Sequence, residues 1–318
     1  MRRTVIDIGT NTILMLIADF DEHNFSIKPV LDIQRIPRLG KGVDKNKNIL
    51  PGAFGKAIGI LNEYKKISNE YKSEQITAAA TSFIRDAKNK EEFINKVKEN
   101  TGIEIQTLSG EDEARWSFWG GIYDKLHIAD AGLRIAAIDI GGGSTEITIG
   151  TIRQLPARKE DLLSIPIKAK SLDVGSVRVN EKFLSSHPPT FESVAEAENF
   201  INEHFNQIDF EIRNAHLIGI AGTITTLGAI KLGLDKFESE KVDRLVITVD
   251  EIEHILNTLA SQPLEELYLM GDYMTGRADV IIPGILILKC FMRKFGFEKI
   301  TISTKGLRYG IFLREVFK

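Results

Sequence analysis

IDIGGGST, residues 138–145, ends an apolar run in consecutive glycines followed by a serine and a threonine. Glycine loses more chain entropy on folding than any other residue, so such a run marks a place where something approaches the backbone too closely for side chains. The pattern has a second copy, IDIGTNT, at residues 6–12. Each copy is preceded by apolar residues and followed by another alternating segment, LMLIADF at 14–20 and TEITIGTI at 145–152. Strand, tight turn, strand is therefore written twice. The repeat predicts an α/β chain of two similar domains, residues 1–128 and 129–304, whose turns face each other across a cleft. The boundary falls where KLHIADAGL, residues 125–133, loses helical periodicity, and the helix of residues 305–318 is predicted to pack back on the first domain.

The remaining chain alternates in the same way. FSIKPVLDI (25–33) reads as a third strand, residues 53–71 as a helix, and ITAAATS (76–82) as a buried strand entering a turn. KEEFINKVKEN (90–100) is an amphipathic helix, IEIQTL (103–108) a strand, and SGEDEARWSFWGGIY (109–123) a helix. In the second half, helices are predicted at 176–184 and 191–205, and HLIGIAGT (216–223) is a strand entering the helix ITTLGAI. The end reads as helical until EKITIS (298–303), a last strand before the helix LRYGIFLREVF. PARKEDL (156–162) and SSHPPT (185–190) read as surface loops.

Bulk properties narrow the classes. At 318 residues and a net charge of -3, no global basic field argues for nucleic acid or an anionic membrane surface. The single cysteine, Cys290, excludes an intramolecular disulfide and, inside ILILKCFM, reads as a buried structural thiol in a reducing, cytoplasmic setting. No apolar run reaches the roughly 18 residues a membrane helix needs.

The chemistry is read from the turns. A turn of small residues can present several backbone N–H groups to phosphate oxygens, with Thr10, Asn11, Thr12, Ser144 and Thr145 adding polar atoms without bulk. Plain hairpins with local turn bonds are the alternative. Asp7 and Asp139 end their strands and would hold a hydrated Mg²⁺ that bridges to phosphate. GIAGTITTL (219–227) offers a helix N-terminus, with Gly222 and Thr223, to an anion or simply packs closely on the sheet. In LSGEDEAR, Ser109 is an N-cap and Asp112 its capping partner, while Glu113 is placed to be a general base if the helix start faces the cleft. Arg85 in AATSFIRDAKN could fork onto a phosphate oxygen or pair with Asp86, and Arg277 in GRADVIIPG precedes a very apolar helix. Arg38, Lys41, Lys168, Lys170 and Arg178 could line a polyanion path or be solvated surface charges. Histidines lack metal-ligand spacing, and neither a nucleophile elbow nor a Walker sequence is present.

Taken together, AIDIGGGSTEI, VIDIGTNTILMLI, RLGKGVD, AATSFIRDA, LSGEDEAR, SLDVGSVRVNEKF, GIAGTITTLGAI and GRADVIIPGILIL resemble the exopolyphosphatase / guanosine pentaphosphate phosphohydrolase family. The resemblance spans most of the chain and implies two ribonuclease-H-like domains of the actin, Hsp70 and sugar-kinase superfamily, with an active site between them. It implies Glu113 as the catalytic glutamate, with Asp112 where the family has a glutamate. Asp139 would match a metal- and phosphate-associated aspartate. Gly141, Gly142, Gly143 and Ser144 would match a phosphate loop, Glu146 a second acid in the cleft, and Arg85 a phosphate contact. STKGLRYG (303–310) departs from the usual S-D-R-G-L-R-E-G, which leaves that loop without an assigned role. The chain looks like the short two-domain form, in which grip on long polyphosphate is weaker or supplied by a homodimer. The expected activity is release of the terminal phosphate of inorganic polyphosphate or guanosine pentaphosphate, with Mg²⁺ or Mn²⁺. An ATP-dependent kinase would instead transfer phosphate to an acceptor, and a regulator would bind alarmone or polyphosphate without releasing phosphate.

Overall fold

A computed structural model describes residues 1–21, 23, 26–124, 132–152 and 165–317. Strands β1 (Arg2–Ile8), β2 (Ile13–Asp21) and β3 (Ser26–Arg35) form an antiparallel meander. Strands β4 (Ile76–Ala80) and β5 (Ile105–Thr107) add to it in parallel, giving the order β3-β2-β1-β4-β5. The second sheet repeats the plan with β6 (Leu133–Ile140), β7 (Thr145–Ile152) and β8 (Ile167–Leu172) as the meander and β9 (His216–Ile220) parallel to β6. Strands β10 (Val246–Thr248) and β11 (Lys299–Ile302) complete it in the order β10-β11-β9-β6-β7-β8.

The duplication extends to hydrogen-bond register. Ile8 faces Ile13 and the Gly9 amide donates to the Thr12 carbonyl at 2.9 Å; Ile140 faces Thr145 and the Gly141 amide donates to the Ser144 carbonyl at 3.0 Å. Two mixed sheets of one topology, each covered by helices, make the two-domain, actin-like α/β fold. Strands β8 and β10 are additions to the sequence-based picture. β8 is only half-buried and carries Lys168 and Lys170, so it lacks an apolar signature. β10 is 3 residues long with only Ile247 buried, too short to interrupt a helical pattern. Of the expected boundary segment 125–133, residues 125–131 lie outside the described residues, as does the loop PARKEDL.

One core joins the sheets. It includes Val5, Leu16 and Ala79 from the first sheet, Ala137, Ile218 and Ile220 from the second, and Trp119 and Phe312 between them. Trp119 lies on the helix Gly110–Ile122 and Phe312 on the helix Leu307–Val316, which also packs on β1 and β2. The two helices cross backbone to backbone. A Cβ at Gly120 would lie 1.9 Å from the Gly306 carbonyl oxygen, and one at Gly310 1.8 Å from that of Trp116. This crossing fixes the helix Gly110–Ile122, whose first turn carries Glu113.

Candidate active site

The two repeated turns meet. A Cβ at Gly142 would lie 3.0 Å from Thr10 Cβ, and one at Gly143 2.5 Å from Ser82 Oγ. None of Gly141, Gly142 and Gly143 has a positive φ, so their backbone conformation is open to any residue. Gly142 and Gly143 are needed because Thr10 and Ser82 of the other half lie against them, while a Cβ at Gly141 would meet the Ser144 carbonyl oxygen of its own turn at 3.1 Å. Their carbonyls are occupied as well: the Ser176 amide donates to Gly141 O at 2.9 Å and the Val177 amide to Gly142 O at 2.8 Å.

Further bonds hold the halves together around this contact. Arg178 donates through Nε to Gly143 O at 2.9 Å, through Nη2 to Asp86 at 2.6 Å, and through Nη1 to Asp44. Arg38 pairs with Asp279, and the Gly42 amide donates to Glu181 Oε1 at 2.9 Å. Arg38 and Arg178 are therefore interdomain clasps and are unavailable to line a polyanion path.

Between the turns lies a cavity of about 440 Å³. Asp7, Glu113 and Asp139 stand on its wall together with Thr10, Asn11, Gly141, Gly142, Ser144, Gly222, Thr223 and Arg277. The acids crowd one another in a dry place. Burial first, then the charges of Glu113 and Asp139, push Asp7 up to about 8, against the opposing pull of Arg308. Burial pushes Glu113 up to about 7, with the charge of Arg85 pulling down. Asp139 is raised by burial while the Ser117 hydroxyl, which donates to it, acts oppositely.

Other sequence candidates are placed differently. Glu146 lies behind the wall, accepts from Ser171 Oγ at 2.7 Å, and is held well above the usual carboxylate range by burial and by Glu113 and Asp139. Thr145 donates to Val174 O at 2.5 Å and, like Gly143, does not line the cavity. Arg85 is also off the wall: Nη1 donates to Glu113 Oε2 at 2.5 Å and to Leu108 O at 3.2 Å, so its partner is Glu113, whereas Asp86 belongs to Arg178. Ser109 does cap its helix, accepting from the Asp112 amide at 3.1 Å, and its hydroxyl donates to the Asp112 carboxylate at 2.8 Å.

Arg277 faces the acids' cavity with a neutral partner, donating to Gln34 Oε1 at 3.0 Å. Desolvation lowers it to about 10. Gly222 makes room for it, since a Cβ there would lie 1.6 Å from Arg277 Nη1. The preceding Ala221 has a φ of 74°, a strained left-handed conformation that sets this junction. The sequence reading did not single out Asp32, Phe237, Ser239, Tyr273 or Arg308, which also line the cavity. Arg308 was visible only as part of STKGLRYG, and the others sit in segments without a motif.

The acids suit a hard cation, and Asp7 and Asp139 are the pair at the strand ends that could hold one. Among the described residues no three His, Cys, Asp or Glu side chains converge to form a complete metal site. A two-carboxylate foothold fits Mg²⁺, which keeps waters and takes substrate phosphate oxygens as its other ligands. Among the described residues no helix is long and apolar enough to cross a membrane.

With this geometry, comparison with known proteins is specific. The sequence profile of the Ppx/GppA phosphatase family matches residues 16–318, and the chain belongs to that family. It is 34% identical to a bifunctional 3-dehydroquinate synthase/phosphatase of Fusobacterium nucleatum, over 99% of this chain and 46% of that protein. It is 27% identical to exopolyphosphatase 2 of Mycobacterium tuberculosis, over 98% of both. The crystal structure of an Aquifex aeolicus Ppx/GppA family member superposes with a TM-score of 0.79 at 30% identity, covering 99% of this chain and 97% of that one.

Proposed function

We propose that the protein is a phosphoanhydride hydrolase that releases the terminal phosphate of inorganic polyphosphate. The observation that carries this is the facing of Asp7, Glu113 and Asp139 against Arg277, a cation without a carboxylate, across one cavity shared by the repeated turns. Polyphosphate is the substrate named for the mycobacterial relative that this chain matches end to end.

Glu113 is the general base, poised close to neutrality by burial so that it can take a proton from the attacking water. Thr10, Asn11, Ser144, Gly222, Thr223 and Arg277 orient the terminal phosphoryl group, and the glycine triplet keeps the two halves close enough to do so. Glu146 supports the site from behind through its bond from Ser171. Arg85 holds Glu113 in place and is freed toward phosphate only if that pair opens. Asp7 and Asp139 would hold Mg²⁺ or Mn²⁺, which when bound supplies charge neutralisation at the phosphate oxygens.

A second substrate is favoured by one specific feature. The cavity extends to Phe237, Tyr273, Val280 and Ile281, apolar surface that a bare polyphosphate chain does not need and a nucleobase does. This supports guanosine pentaphosphate as an alternative substrate. The deciding experiment measures phosphate release from tripolyphosphate, long polyphosphate and guanosine pentaphosphate, each with a series of divalent metals. Release from none of them, or transfer of phosphate from ATP to an acceptor, would overturn the proposal. Cytoplasmic residence and a homodimer extending the polyphosphate track belong to the same proposal.

A further inference from the structure

The segment STKGLRYG places Arg308 in the cavity wall. Its guanidinium is clamped from one side: Nε donates to Asp32 Oδ1 at 2.8 Å, and Nη2 donates to Asp32 Oδ2 at 2.8 Å and to Thr304 O at 3.0 Å. Tyr309 locks the clamp, donating its hydroxyl to Asp32 Oδ2 at 3.0 Å while its ring stacks on Tyr123 with centroids 5.9 Å apart. The fork is thus fixed in plane and direction. Nη1 is left with no protein partner among the described residues.

An anion entering this cavity meets Asp7, Glu113 and Asp139, so it requires donors fixed in advance. Most nearby cations are committed elsewhere: Arg85 to Glu113, Arg178 to Asp44 and Asp86, Arg38 to Asp279, and Lys305 to Asp124. Arg277 and the free edge of Arg308 remain. A side chain serving only as a strut between β3 and the last helix would have no need to open onto the cavity.

We propose that Arg308 contacts the substrate, its Nη1 donating to a non-bridging phosphate oxygen, so that the phosphoryl chain is held by Arg308 beside Asp7 and by Arg277 beside Gly222. Asp32 and Tyr309 are the positioning residues of this contact. The inference rests on the phosphate reading of the cavity.

The test uses the full chain carrying Glu113→Gln, which holds substrate without turnover, titrated with tripolyphosphate by calorimetry. Adding Arg308→Lys keeps a charge opposite Asp32 but has no second edge, and should weaken binding at least tenfold. Adding Asp32→Asn instead keeps the guanidinium but loosens the clamp that aims it, and should weaken tripolyphosphate binding by less than Arg308→Lys does. Equal affinity of the Arg308→Lys protein and its parent overturns the inference alone. An Asp32→Asn protein that binds as weakly as the Arg308→Lys protein also overturns it, because a strut would be damaged equally from either end, and Arg308→Gln, which removes the charge, takes the place of the lysine variant if that one fails to fold. A parent that binds no tripolyphosphate refutes the phosphate reading and the inference with it.

Discussion

Gly143→Ala places a methyl where the halves of the protein touch. The added Cβ would lie 2.5 Å from Ser82 Oγ and 3.0 Å from Thr10 Oγ1, well inside van der Waals contact. Ser82 and Thr10 cannot simply swing aside, because both are buried and their hydroxyls bond each other at 3.0 Å. Overpacking of this kind costs about 1–3 kcal/mol. In a domain of this size that lowers the melting temperature by roughly 2–10 °C. The Ser82 contact is much the shorter of the two, so Ser82→Ala should recover most of the cost. Its Cβ would stand 3.3 Å from the new methyl, a gap that a shift of a few tenths of an ångström relieves. Thermal unfolding of the parent, both single variants and the double variant gives the coupling energy directly. Unchanged stability in Gly143→Ala, or a double variant no better than the single, would refute packing as the reason for the glycine.

Arg178→Met leaves Asp44, Asp86 and the Gly143 carbonyl without their shared donor. Allowing for the partial exposure of both carboxylates, it should cost about 2–3 kcal/mol in denaturant unfolding, and a loss below ~0.5 kcal/mol would show the clasp to be ornamental. Asp7, Glu113 and Asp139 retain protons in the folded protein that the unfolded chain releases from about pH 3.8 to 4.5 upward, so their stabilisation is fully present below that range and lost as pH rises through about 6 to 8. The melting temperature of metal-free protein should therefore fall across that window, and less steeply in Asp7→Asn; parallel profiles for parent and variant would contradict the crowding of these acids.

The duplicated hairpins were legible because each turn is bracketed by alternating apolar residues, and the register repeats what the residues announced. Glu113 was legible as an acid on the first turn of a capped helix and was read there as a candidate base, an assignment that the family resemblance also implied. The partners of arginines were not legible. Arg85 stands next to Asp86 in sequence, yet its fork reaches Glu113, while Asp86 answers Arg178 from the other half of the chain. Such choices depend on which surfaces the fold brings together. The glycine triplet shows the same limit: sequence declared a close approach, and only the fold revealed that Thr10 and Ser82 make it. Asp32 and Arg308 meet across 276 positions, a separation that no local pattern encodes.

The most direct measurement is phosphate release from tripolyphosphate and long polyphosphate by the parent and by Glu113→Gln, with a divalent metal present. Glutamine keeps the size and hydrogen-bonding reach of Glu113 but cannot accept the proton of water. The expected result is release by the parent, and a loss of roughly 10²–10⁴-fold in the variant with its unfolding transition retained. A variant that turns over within a few-fold of the parent would contradict the assignment of Glu113 as the base.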